Sequence, residues 1–131
     1  MKISVFGNPD IKEDSLVVEM VPELKAKFPQ VDIKVEDPSE GLVPPEKGEW
    51  VILDVARGVD KVRMFEDIDK LVTEKRVSLH DYDVSMELKL LKRLGKVKKI
   101  KIVAVPEGME KEKAFREVTE ILKGYCQEAS P

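Results

Sequence analysis

Apolar and polar positions along the chain follow two rhythms, one with a period near two and one with the period of a helix. Trp50-Val51-Ile52-Leu53 is an unbroken apolar run closed by Asp54, which predicts a strand buried on both faces and central in a parallel sheet. Val31 to Val35 alternates apolar with charged residues and predicts a strand near an edge, with one solvated face. Lys2 to Phe6 reads as a first strand closed by Gly7-Asn8-Pro9, and Lys98 to Val105 as a last one ended by Pro106. Between them, Leu16, Val17, Met20, Val21, Leu24 and Phe28 share one helical face behind a cap at Asp14 or Ser15. Pro22 falls inside that pattern and predicts a kink or two short pieces.

Two more helices complete the pattern. Asp83 caps a helix from about Val84 to Leu94 that Gly95 stops, with Val84, Leu88 and Leu91 on one face and Leu90 and Leu94 widening it. The last, about Glu110 to Tyr125, turns Ala114, Phe115, Val118, Ile121, Leu122 and Tyr125 inward. Val77-Ser78-Leu79-His80 is a short extended run, Lys61 to Phe65 a charged segment, and Asp67 to Glu74 a weakly patterned helix. Strands alternating with helices predict an α/β fold, a three-layer α/β/α sandwich around a mostly parallel sheet of about five strands. With 131 residues the expectation is a single domain, residues 1–131.

Composition narrows the partners. A formal net charge of -3 with lysines and glutamates interspersed offers no basic field for nucleic acid or anionic lipid, so neither is expected. Met1-Lys2 leads into Ile3-Ser4-Val5-Phe6 without the apolar core of a signal peptide, which points to a cytoplasmic protein, expected to be a monomer. Cys126, the single cysteine, has no disulfide partner.

Open α/β sheets bind ligands beyond the carboxyl ends of their strands. On that rim the pattern places Glu13 and Asp14, after the first strand, Asp54 on the buried strand, and His80 ahead of a helix. Two carboxylates and an imidazole suit a divalent metal such as zinc or nickel and leave coordination positions open for substrate. Each also has a plain structural reading. His80 can cap or pack at a helix start, Asp54 can satisfy backbone donors, one of Glu13 and Asp14 can serve as helix-start charge, and Glu36 and Asp37 read as solvated. An acidic pair and a strand-end aspartate also describe a phosphoacceptor receiver domain, but Gly7 to Lys12 intervenes before the pair and Val105-Pro106-Glu107 replaces the expected lysine.

Gly7-Asn8 after the first strand, Glu13-Asp14 opening an apolar helix, Leu53-Asp54 ending a buried strand, and Ser78-Leu79-His80 ahead of a leucine-rich helix ending in Gly95 together resemble the nickel-iron hydrogenase maturation endopeptidases. The resemblance spans most of the chain. It implies a cytosolic α/β peptidase, a hydrolase that removes the C-terminal peptide of a hydrogenase large-subunit precursor after nickel insertion, with the nickel carried by the substrate. It further implies Asp14, Asp54 and His80 as metal ligands and catalytic residues, and Asn8 and Asp37 as substrate contacts. Where the family usually has a glycine-rich run after the second strand, this chain has Asp37-Pro38-Ser39-Glu40-Gly41. That difference leaves a second implication, a non-catalytic assembly factor that binds the precursor without cutting it.

Overall fold

The computed structural model describes residues 1–6, 12–36, 43–45, 49–66, 78–79, 90–91, 93–95 and 100–129, and of 12–14, 78–79 and 125–129 the backbone alone. Its elements are β1 (Lys2–Phe6), α1 (Lys12–Glu19), α2 (Val21–Lys27), β2 (Asp32–Glu36), β3 (Trp50–Arg57), β4 (Arg63–Phe65), β5 (Ser78–Leu79), β6 (Ile100–Pro106) and α3 (Lys111–Ala129). They form one sheet in the order β2-β1-β3-β6-β4, with β5 joined to β3. The four strands β2, β1, β3 and β6 run parallel, while β4 and β5 run antiparallel to their partners.

Alternation along each strand divides the core in two. Odd-numbered Val51, Leu53 and Val55 join Ile3, Val5 and Ile33 under Val17, Leu24, Ala114, Val118 and Leu122 of the three helices. Even-numbered Trp50, Ile52 and Ala56 join Phe6, Phe65, Ile100 and Ile102 on the opposite face, where Leu91 packs from a helical turn. Helical residues therefore lie on both sides of a mostly parallel sheet, as the apolar pattern requires. Pro22 divides the first helical pattern into α1 and α2, sitting in the first turn of α2 where its missing amide costs no bond.

Several expectations change. β3 does not end at Asp54 but continues through Val55-Ala56-Arg57, because β6 keeps pairing with it as far as Ala56 opposite Pro106. The charged segment at Lys61 to Phe65 contains β4, whose three residues are too few for a period to register in the sequence. Leu90 and Leu94 are 55% and 63% exposed and do not widen the buried face, which Leu91 alone reaches among the described residues of that helix. Gly95 closes it at φ 72, a conformation that glycine adopts without penalty. Residues 67–77 and 80–89 lie outside the described residues, as do the expected helices' starts within them.

A polar network is set into the second face. Lys2 is buried, and its Nζ pairs with the Glu36 carboxylate and donates to the Val43 carbonyl at 2.7 Å. The Ser4 hydroxyl donates to Glu36 Oε2 at 2.8 Å and accepts from Trp50 Nε1 at 2.8 Å. Every member is thus satisfied, and the ammonium fastens both the end of β2 and the connection beyond it. Glu36, read as solvated, is instead the counter-charge of a buried lysine.

Lys2→Met leaves that carboxylate without its cation and is expected to cost about 2–3 kcal/mol in urea unfolding, whereas the double change Lys2→Met with Glu36→Leu recovers most of the loss. The Thr119 hydroxyl is buried with no partner among the described residues, so Thr119→Val is expected to hold or raise the unfolding midpoint, by up to about 1 kcal/mol.

Candidate functional site

The strand order contains a topological switch. From β1 the chain first moves outward to β2 and then returns across β1 to β3, so the connections leave the β1/β3 junction in opposite directions, and it is beyond the carboxyl end of such a junction that open α/β sheets bind ligands. β1 pairs with β3 only as far as Val5 opposite Leu53. Asp54 is the next residue of β3.

Among the described residues, β6 lies along one side of β3 beyond that point, and β5 pairs with the other, Leu79 opposite Ala56. Backbone groups of successive strand residues point to opposite sides. The Ala56 carbonyl accepts from Glu107 N at 3.1 Å on the β6 side, so the Val55 amide faces the β1 side. Asp54 Oδ1 accepts that amide at 2.8 Å. A carboxylate that is 0% exposed is costly to bury without hydrogen bonds, and here one oxygen is bonded by the amide of the next residue.

Two other elements converge on this junction. α1 leaves the carboxyl end of β1 and packs over both β3 and β1, with Val17 against the same core as Leu53 and Val55. The backbone of Asp14 lies in its first turn. β5 brings Ser78-Leu79 to the carboxyl end of β3 on the side of Asp54, and His80 is the next residue of the chain, outside the described residues. Asn8 and Asp37 also lie outside them, after the carboxyl ends of β1 and β2. Among the described residues, no group of three or more His, Cys, Asp or Glu side chains is assembled to hold a metal ion. Of the expected site residues, the structure describes the side chain of Asp54 and the backbone of Asp14.

With this sheet order the fold can be compared with solved structures. It is similar to that of a hydrogenase maturation endopeptidase. Hydrogenase maturating endopeptidase HybD from E. coli superposes on 95% of this chain and 94% of its own with a TM-score of 0.56, at 20% sequence identity. No protein-family model matches the sequence, and no curated protein matches it. The likeness to HybD runs nearly end to end in both chains, and it agrees with the resemblance drawn from Gly7-Asn8, Asp14, Leu53-Asp54 and His80. It establishes the architecture. No helix among the described residues is long and apolar enough to cross a membrane.

Three features of the site region escaped the sequence pattern. The offset between β1 and β3 depends on pairing partners far apart in the chain. The burial of Glu36 was signalled only by Lys2 and Ser4, two polar residues in an otherwise buried strand. At the end of β3, Arg57 Nε donates to Glu107 Oε2 at 3.2 Å, joining β3 to the turn after β6.

Because Asp54 Oδ1 accepts the Val55 amide, its substitutions should report on that bond. Asp54→Asn keeps an oxygen for the amide and is expected to unfold within about 1 kcal/mol of wild type, whereas Asp54→Leu orphans the amide and is expected to cost about 1–3 kcal/mol, both read from urea midpoints.

Proposed function

We propose that this protein is a metal-dependent endopeptidase that removes the C-terminal peptide of a nickel-iron hydrogenase large-subunit precursor once nickel has been inserted. The observation that carries this reading is the buried Asp54 at the switch point of a sheet whose fold is similar to that of HybD. Asp54 together with Asp14 and His80 supplies two carboxylates and an imidazole, a donor set suited to nickel or zinc. The nickel arrives with the substrate. Its incomplete coordination in the precursor is completed by these three side chains, which makes metal loading the signal for cleavage.

The metal polarises the scissile carbonyl or a water when bound. The protein's own part is to hold its ligands at fixed positions: the Val55 amide orients Asp54, the first turn of α1 carries Asp14, and the β5 pairing to Ala56 delivers the residue after Leu79 to the same end of the sheet. Asn8, the second residue after β1, and Asp37, the first after β2, contact the precursor's chain. The protein acts in the cytoplasm as a monomer.

The test is processing of a nickel-loaded large-subunit precursor followed by mass measurement. Wild type is expected to shorten the precursor only when nickel is present. His80→Ala is expected to keep the wild-type circular dichroism spectrum and lose processing altogether; normal cleavage by that variant, or cleavage of metal-free precursor at the same rate, contradicts the reading. Binding of the precursor by the wild type without any shortening would identify the assembly factor instead.

A further inference from the structure

We infer that Lys2 is a positioning residue that sets Asp37 against the bound peptide, an inference that rests on the proposed function. Lys2 is 7% exposed, and its Nζ holds both the Glu36 carboxylate and the Val43 carbonyl, the latter at 2.7 Å. Those two partners stand on either side of residues 37–42, which lie outside the described residues. One ammonium therefore ties together the two ends of that segment, with the bonded oxygens no more than about 6 Å apart.

Each end is fastened by polar bonds. The Val43 side chain is 60% exposed, so it is the carbonyl that holds the chain to the sheet there, and Pro44 and Pro45 follow with their φ angles set. Glu36 is held twice, by Lys2 and by the Ser4 hydroxyl at 2.8 Å, which in turn accepts from Trp50 Nε1. An apolar side chain of similar volume would often serve the core as well as a buried ammonium. What the lysine alone supplies is the joint between the end of β2 and the connection beyond it.

The tied segment begins beside the proposed site. Val5 pairs with Val35 on one side and with Leu53 on the other, so Glu36 and Asp54 are the next residues of β2 and β3. Both point to the same face of the sheet, about 10 Å apart across β1. Asp37 follows Glu36 directly. A peptide whose scissile bond lies at Asp54 thus reaches the start of the segment within about three residues of extended chain. Loops whose ends are drawn together are frequently functional. Lys2 touches no substrate; it acts through Asp37, on affinity and not on bond cleavage.

The experiment measures KM and kcat on a nickel-loaded large-subunit precursor for wild type, Lys2→Met, Asp37→Ala and the two changes combined. Lys2→Met is expected to raise KM about tenfold with a much smaller change in kcat, because a lost positioning contact weakens substrate and transition state alike. A lysine that only stabilised the fold would give the opposite split, since fewer folded molecules lower the apparent kcat and leave KM as it was. In the Asp37→Ala background Lys2→Met is expected to raise KM less than about twofold, the residue it positions being already gone. Wild-type KM for Lys2→Met, or an equal rise in both backgrounds, overturns the inference. If wild type itself leaves the precursor uncut, the proposed function fails, and Lys2 is then judged by calorimetric titration of nickel-loaded precursor into wild type and into Lys2→Met with Glu36→Leu, the pair expected to keep its stability. Weaker binding by that double variant upholds the inference, and equal binding overturns it.

Discussion

A carboxylate buried on the central strand is the constraint on which the site depends. Asp54 is 0% exposed, and its Oδ1 accepts the Val55 amide at 2.8 Å. β6 braces that stretch of β3 as far as Ala56, and among the described residues β1 pairs with β3 as far as Val5 opposite Leu53. The bond to the amide holds the carboxylate in one orientation, which is what a metal ligand or a polarising group needs.

The two faces of the sheet are braced differently. On one, α1, α2 and α3 pack apolar residues against the strands. On the other face a lysine, a glutamate, a serine and a tryptophan are joined across β1, β2 and β3, and the lysine also reaches Val43 in the connection between β2 and β3. Apolar residues of similar volume would often be as stable there. What the polar network adds is direction: the bond from Lys2 Nζ ties Val43, in the β2–β3 connection, to the face on which Asp54 stands.

Much of this architecture was legible in the sequence, and the limits are physical. The run from Trp50 to Leu53 identified the central strand because both of its faces are buried, and Val31 to Val35 identified an edge because one is not. Pro22 marked the break between α1 and α2. By contrast β4 and β5 hold three and two residues, too short for periodicity, and exist through partners in β6 and β3. Leucines at 90 and 94 carry a core-like spacing but face solvent, since hydrophobic pattern records what a face can bury and not what arrives to cover it. The placement of Asp54 on a buried strand was legible from the apolar run before it, while its bond to the Val55 amide carries no signal in the sequence. Asp14 and His80 enter the proposed site from their order along the chain and from the family resemblance.

The central claim is that three residues distant in sequence grip one divalent ion. Calorimetric titration of Ni2+ into the wild type and into Asp14→Ala, Asp54→Asn and His80→Ala tests it most directly. A single site in the wild type that each of the three changes weakens is the outcome the account predicts. Binding that survives unchanged in any one of the three variants would remove that residue from the site and contradict the convergence.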